Sequence, residues 1–150
     1  MSSSNNLVDS IFLLFRLLLG FVFVASGILK LISPQQASEL LSDLTTLNGW
    51  ISRVVILVGS VIELLLGLLL MVGGKYLRIA SLASSVALLA FTFVGLWALQ
   101  NPRPCGCFGD MFEFKTDEYF VARNLFFLLL SMLILRYSIK HSRTQTGKPS

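Results

Sequence analysis

The sequence predicts an all-α polytopic membrane protein, a bundle of four transmembrane helices with a short outer amphipathic helix. Of its 150 residues, 55% are hydrophobic and only 13% are charged, a composition too apolar for a soluble domain of this size. Four apolar segments are each long enough to cross a hydrocarbon core of about 30 Å, which requires about 20 helical residues. These segments are 9–32, 53–74, 76–100 and 119–139.

The first span is predicted to stay in the membrane. Its apolar stretch is too long for a signal peptide, no basic stretch precedes it, and it shows no small-x-small cleavage site. The chain is therefore expected to comprise a polar N-terminal segment (1–8), one four-helix membrane domain (9–140) and a basic cytoplasmic tail (141–150). We expect no soluble catalytic domain beside the four spans.

The loop between the first and second spans has the pattern of a short amphipathic helix. Ser33 is a candidate N-cap, Pro34 fits the first helical position, and leucines follow at helical spacing. Asn48-Gly49 is a candidate stop signal. The pattern predicts a helix on the outer membrane surface with Trp50 at the interface, and a plain interfacial connector is the alternative.

The basic residues predict the orientation of the bundle. They concentrate in the tight loop between the second and third spans, at the end of the fourth span and in the tail after it. Because cytoplasmic loops are enriched in Lys and Arg, we expect both termini in the cytoplasm and loop 101–118 outside the inner (plasma) membrane. The net charge of +4 mostly reflects this asymmetry and gives no support for nucleic-acid binding. The residues concerned are Lys75, Arg78, Arg136, Lys140, Arg143 and Lys148.

Charged and small residues share one face in each of the first two spans. Small residues on such a face let helix backbones approach closely, so both faces are expected to point into the bundle. On the first span the face comprises Arg16, Gly20, Phe23, Gly27 and Lys30. On the second span it comprises Gly59, Glu63, Gly67 and Gly74.

Depth in the membrane predicts that Glu63 pairs with Arg16. Glu63 lies near the middle of its span, and Arg16 lies roughly 7–8 Å to the cytoplasmic side of the centre of its own span, within reach of an arginine side chain. Lys30 is nearer the outer surface and is expected to be less able to reach. The pair would either fix helix packing or form a polar pocket for a quinone head group or a proton route.

The predicted outer loop between the third and fourth spans holds the only two cysteines of the chain, in Cys105-Gly106-Cys107-Phe108-Gly109. Prolines before the pair and glycines within the stretch predict a turn. Cysteines two residues apart can form a disulfide in a bent backbone, and such a strained disulfide is more oxidising and more labile. These properties favour redox exchange in a compartment where disulfides persist.

Two other roles for the cysteines remain open. A structural disulfide would constrain the unfolded chain little across so short a loop. A zinc site would need further ligands, and the only histidine, His141, is expected on the other side of the membrane. At the start of the fourth span, Arg123 could lower the pKa of a cysteine, anchor the helix at the interface, or pair with Asp110 or Glu113.

Several of these motifs together resemble the MauE/DoxX family of small redox-associated membrane proteins, over about residues 10–137. They are Arg-x-x-x-Gly from Arg16, Ser26-Gly27-x-x-Lys30-Leu31 with Pro34, Glu63, the Cys-Gly-Cys-Phe-Gly loop, and Arg123-Asn124. The resemblance implies a role in extracytoplasmic disulfide formation, thiol supply or protein maturation, such as that of methylamine dehydrogenase. It also implies a thioredoxin-like partner, which is expected to be a separate chain.

The expected function is a membrane thiol–disulfide relay. Cys105 and Cys107 would cycle between dithiol and disulfide with a thioredoxin-like protein or a maturing substrate, and quinone would be the membrane electron carrier. Gly106, Phe108 and Gly109 would shape the turn. The alternatives are a subunit of a quinone-linked sulfur-compound oxidoreductase and a non-catalytic membrane assembly factor with structural cysteines.

Overall fold

The computed structural model describes residues 3–100 and 118–146, which are helical apart from short connections. The helices are α1 (Ser3–Ile32), α2 (Gln35–Thr45), α3 (Gly49–Val72), α4 (Leu77–Gln100) and α5 (Glu118–Thr146), with a 3-10 turn at Gly74–Tyr76. Within these residues four stretches are long and apolar enough to cross a membrane: Leu7–Ile32, Gly49–Val72, Leu77–Trp97 and Val121–Ile139. The prediction of an all-α, multi-pass membrane protein is confirmed.

Helices α1 and α3 pack directly against each other through glycines. A Cβ atom added to Gly27 would lie 2.8 Å from the carbonyl oxygen of Ser60, and one added to Gly67 would lie 2.7 Å from that of Gly20. Such distances leave no space for a side chain, so the two backbones are in contact. The small-residue faces predicted from the sequence do point into the bundle here, except that Gly59 is only half-buried and Gly74 is exposed.

Helices α4 and α5 form a second close pair, which buried serines stabilise. The Oγ of Ser131 donates to the backbone oxygen of Ser81 at 3.0 Å and lies 2.9 Å from the Oγ of Ser85. Interhelical hydrogen bonds of this kind contribute to packing in an apolar environment. The sequence prediction did not single out these serines.

The two pairs meet along an apolar seam, and their contacts across it are less extensive than those within each pair. One continuous cluster fills the centre: Leu19, Phe23, Leu70, Ala80, Leu88, Leu128 and Ile134. At the end of the bundle near Gly74–Tyr76 (the turn end), Tyr137 of α5 stacks on Phe12 and donates a hydrogen bond to Asp9 of α1. The opposite end, where α2 lies, is called the α2 end.

Helix α2 confirms the predicted amphipathic helix, but both of its predicted boundary signals were wrong. Ser33 is not the N-cap, because its N–H still bonds to Leu29 in the last turn of α1, and α2 is preceded by Pro34 instead. Asn48-Gly49 does not stop α2. The helix ends at Thr45, the C-cap residue Thr46 is in a left-handed conformation (φ 54°), and Asn48 precedes the first residue of α3.

Candidate functional site

Glu63 is paired with Lys30 inside the bundle. Nζ of Lys30 lies 2.6 Å from Oε1 of Glu63, and the Oγ of Ser26 donates to Oε2 at 3.0 Å. Both charged residues are almost fully buried, with Lys30 5% and Glu63 6% exposed. Nζ also lies 4.5 Å from the ring centroid of Phe91 on α4, within the range of a cation–π contact. This arrangement is called the Lys30–Glu63 cluster below.

The predicted Arg16–Glu63 pair is therefore wrong, and the register of α1 against α3 explains why. Gly27 faces Ser60 and Leu64, whereas Gly20 faces Gly67 and Met71. With a rise of 1.5 Å per residue, this register places Lys30 only ~6 Å from Glu63 along the helix axis. Arg16 is ~15 Å from Glu63 along the same axis.

The direction of the side chains also favours lysine as the partner. Side chains on a helix tilt toward its N-terminus, and α1 and α3 run antiparallel. Lys30 on α1 and Glu63 on α3 consequently tilt toward each other, while Arg16 tilts away from Glu63. The prediction from depth alone did not consider this tilt, and it wrongly placed Arg16 ahead of Lys30 as the partner of Glu63.

Arg16 instead lies at the C-terminal end of α3. Its Nη2 donates to the backbone oxygen of Met71 at 3.4 Å, and the guanidinium packs against Gly73, which has a φ of 72°. A cation at a helix C-terminus interacts favourably with the helix dipole and the last carbonyl groups. Arg16 thus fixes the turn end of the bundle and lies apart from the Lys30–Glu63 cluster.

A cavity of about 330 Å³ lies against the Lys30–Glu63 cluster, between α2, α3 and α4. Among the described residues that line it, Lys30 and Glu63 are the only polar ones, and the rest are apolar or glycine. Ile62, one of the lining residues, is 52% exposed, so the cavity opens to the exterior of the helix bundle. We call it the apolar cavity.

A second, much smaller cavity of about 40 Å³ lies on the other side of the same cluster. Ser26, Arg123 and Asn124 contribute to its wall together with Lys30 and Glu63. Asn124 is 5% exposed, and its Nδ2 has no hydrogen-bond acceptor within the part of the chain that the structure describes. A polar cavity of this size can hold water. We call it the polar cavity.

The predicted cysteine site lies outside the described residues. This applies to Cys105, Gly106, Cys107, Phe108 and Gly109. The helix ends that flank the undescribed stretch 101–117 are those of α4, which returns from the turn end, and α5, which begins with Glu118. Both therefore lie toward the α2 end, and Arg123 and Asn124 follow within the first turns of α5.

The structure adds two residues that sequence reasoning did not assign to a site. Ser26 precedes Lys30 by four residues and thus shares its helix face. This spacing could have identified Ser26 as a second hydrogen-bond donor to the Glu63 carboxylate. Phe91 lies on α4 within a run of apolar residues, and no sequence signal distinguishes it from its neighbours. Its role follows only from the packing of α4 against Lys30.

Comparison with protein families gives a match over most of the chain, whereas comparisons with curated proteins and with solved structures give none. The matching family is described as methylamine utilisation protein MauE, and the match covers residues 8–137. This range includes the Lys30–Glu63 cluster, the segment with both cysteines and all but the outermost residues of the four spans. The chain belongs to the MauE family.

Proposed function

We propose that this protein is a membrane thiol–disulfide relay that supports disulfide formation in extracytoplasmic proteins. The observation that carries the proposal is the cysteine pair of Cys105 and Cys107 in the segment that joins α4 to α5. The flanking helix ends lie at the α2 end, Lys30 and Arg123 lie within two turns of that end, and Glu63, near the middle of α3, bonds to Lys30 from below. Reactive thiols and buried polar groups would thereby share one end of the molecule.

The relay has a simple chemical balance. A thiolate of the substrate or of a thioredoxin-like partner attacks the disulfide between Cys105 and Cys107, and forms a mixed disulfide while one cysteine leaves as a thiolate. A second thiolate of the partner then displaces the remaining cysteine. The partner leaves with a disulfide, and this protein keeps two thiols, whose two electrons and two protons must be passed on before the next cycle.

The family description suggests the process that the relay serves. The matching family is named for methylamine utilisation, and we propose that the chain acts in the maturation of an extracytoplasmic enzyme in such a pathway. The substrate would be a protein that acquires disulfides after export. A thioredoxin-like protein would carry disulfides between this protein and that substrate.

Single cysteine substitutions test the relay. We expect Cys107→Ser to accumulate a mixed disulfide with a thioredoxin-like or substrate protein: the Cys105 thiolate attacks the disulfide of the oxidised partner, the reverse of the step above, one partner cysteine leaves as a thiolate, and the resolving thiol is missing. The adduct should disappear on treatment with reductant, and both single substitutions should abolish disulfide transfer. The measurement is a non-reducing gel with mass spectrometry of the captured chain, with the double Cys105→Ser/Cys107→Ser variant as the adduct-free control.

A structural disulfide would give a different pattern. Both single variants would then lose stability to the same extent, neither would form an adduct, and the bond in the unmodified protein would resist mild reductant. That result would contradict the relay and leave the assembly-factor alternative.

Labelling in whole cells tests the proposed orientation. After mild reduction, a membrane-impermeant maleimide should label Cys105 and Cys107 in intact cells, because the asymmetry of basic residues favours an extracytoplasmic position for them. In a variant without these cysteines, Tyr76→Cys at the exposed turn end should react only after the membrane is opened. The reverse pattern would contradict the orientation and the oxidising compartment.

A further inference from the structure

The described wall of the apolar cavity is formed by apolar residues and glycines, except at Lys30 and Glu63. Leu40, Leu41 and Leu44 of α2 form one side, and α3 and α4 form the others. Its volume of about 330 Å³ lies at the lower end of the range for small-molecule sites, about 300–1,000 Å³. The Lys30–Glu63 cluster is the only place in the described wall where a ligand could form hydrogen bonds.

The chemistry of the Lys30–Glu63 cluster favours one class of ligand. Lys30 offers an ammonium donor and Glu63 a carboxylate acceptor, and their opposite charges favour a ligand without net charge. Phe91, which also lines the cavity, offers a ring against which a planar group can pack. A quinone accepts a hydrogen bond at its carbonyl oxygen, its reduced form donates one from its hydroxyl group, and both forms are neutral and largely apolar.

We infer that the apolar cavity is a quinone site, in which Lys30 and Glu63 bind the oxygen at one end of the ring. The inference rests on the proposed relay, because two thiols that form a disulfide release two electrons and two protons. A membrane-soluble quinone takes up both, so that its two carbonyl groups become the hydroxyl groups of the quinol. Lys30 binds the oxidised oxygen, and Glu63 accepts the hydrogen bond of the reduced one.

The polar cavity lies on the side of the Lys30–Glu63 cluster near the start of α5. It touches the same Lys30 and Glu63 from the other side, and its wall includes Asn124, whose Nδ2 has no acceptor among the described residues. Water held there by Ser26 and Asn124 would give the Lys30–Glu63 cluster a hydrogen-bonded path. Protons released at the thiols could reach the quinone oxygen along it.

Photolabelling tests the site independently of the relay. Purified Cys105→Ser/Cys107→Ser protein in lipid nanodiscs is exposed to a short-tailed azido-ubiquinone, irradiated and digested. We expect labelled peptides from α2, α3 and α4 near the apolar cavity, and at least tenfold less label in the presence of excess unmodified decyl-ubiquinone. Because the protein contains no cysteine in this experiment, failure of the relay cannot affect the result.

Gly59 offers a substitution that fills the cavity without disturbing the fold. It lines the apolar cavity, and a Cβ atom added to it would meet no atom within 4 Å. Gly59→Leu should therefore lower labelling at least tenfold in protein that remains folded. Val58→Leu on the same helix is the matched control, since Val58 is exposed outside the cavity, and it should label like the parent protein.

Competition distinguishes a quinone from any apolar chain. Geranylgeraniol has a prenyl tail but no quinone ring, and it should not compete at concentrations where decyl-ubiquinone does. Equal competition by both, or equal labelling of the Gly59→Leu and parent proteins, would overturn the inference. A cysteine adduct without specific labelling would refute the quinone site alone, and specific labelling without an adduct would refute the relay alone.

Discussion

Replacing Lys30 by methionine should lower the free energy of unfolding by about 3–5 kcal/mol, because it strands the Glu63 carboxylate without its cation. The carboxylate is almost fully buried, and the neutral hydroxyl of Ser26, which donates to its Oε2, cannot replace the charge of the ammonium group. Glu63→Met should have a similar effect by stranding the ammonium of Lys30. The measurement is unfolding of the purified protein in mixed micelles by a denaturing detergent.

The double variant Lys30→Met/Glu63→Met should be much more stable than the sum of its single changes predicts. Replacing a whole buried ion pair by apolar side chains of similar volume is often neutral. Arg16→Met supplies the matched control, because Arg16 contacts Met71 and Gly73 and does not touch Glu63. Its effect should add to that of Glu63→Met within about 0.5 kcal/mol. If the effects of Lys30→Met and Glu63→Met were additive while those of Arg16→Met and Glu63→Met were coupled, the Arg16–Glu63 pair predicted from depth would be correct.

Replacing Gly67 by alanine should destabilise the α1–α3 pair by about 1–3 kcal/mol, the usual cost of overpacking a close interface. The new methyl group would lie 2.7 Å from the backbone oxygen of Gly20 and 2.8 Å from the backbone nitrogen of Val24. Backbone atoms cannot rotate away as a flexible side chain can, so the two helices must separate. The same unfolding measurement applies.

Gly59→Ala on the same helix is the control for this second prediction. Alanine is favoured over glycine in a helix interior by about 0.5–1 kcal/mol, and at Gly59 no atom lies within 4 Å of the added Cβ. Gly59→Ala should therefore be neutral or slightly stabilising. If both alanine variants gained stability, helix propensity would outweigh the contact, and α1 and α3 would be less closely packed than described here.

Features that depend on residues close together in the chain were predictable from the sequence. The length and apolar character of the four spans follow from composition alone, and the spacing of Gly20 and Gly27 on α1 was enough to identify the face that meets α3. Helix α2 was likewise predictable from leucines at helical spacing. These features depend on neighbours three or four positions away, which a sequence displays directly.

Features that depend on the relative placement of two helices were not predictable. The partner of Glu63 depends on the register and tilt of α1 against α3, and a shift of one helical turn would change it. The contact between Phe91 and Lys30 depends on how α4 approaches α1. The serines at the α4–α5 interface gave no signal either, because a serine in an apolar helix can bond to its own backbone instead.

The division of the bundle into two helix pairs has a mechanical consequence. Within each pair, glycine contacts or serine hydrogen bonds hold the backbones at a fixed distance, and any separation breaks them. The seam between the pairs contains mainly apolar side chains, which tolerate small sliding movements. We therefore expect the softest deformation of the molecule to be a rocking of α4–α5 against α1–α3 about the Tyr137–Asp9 contact at the turn end, which would change the width of both cavities while leaving the Lys30–Glu63 pair intact.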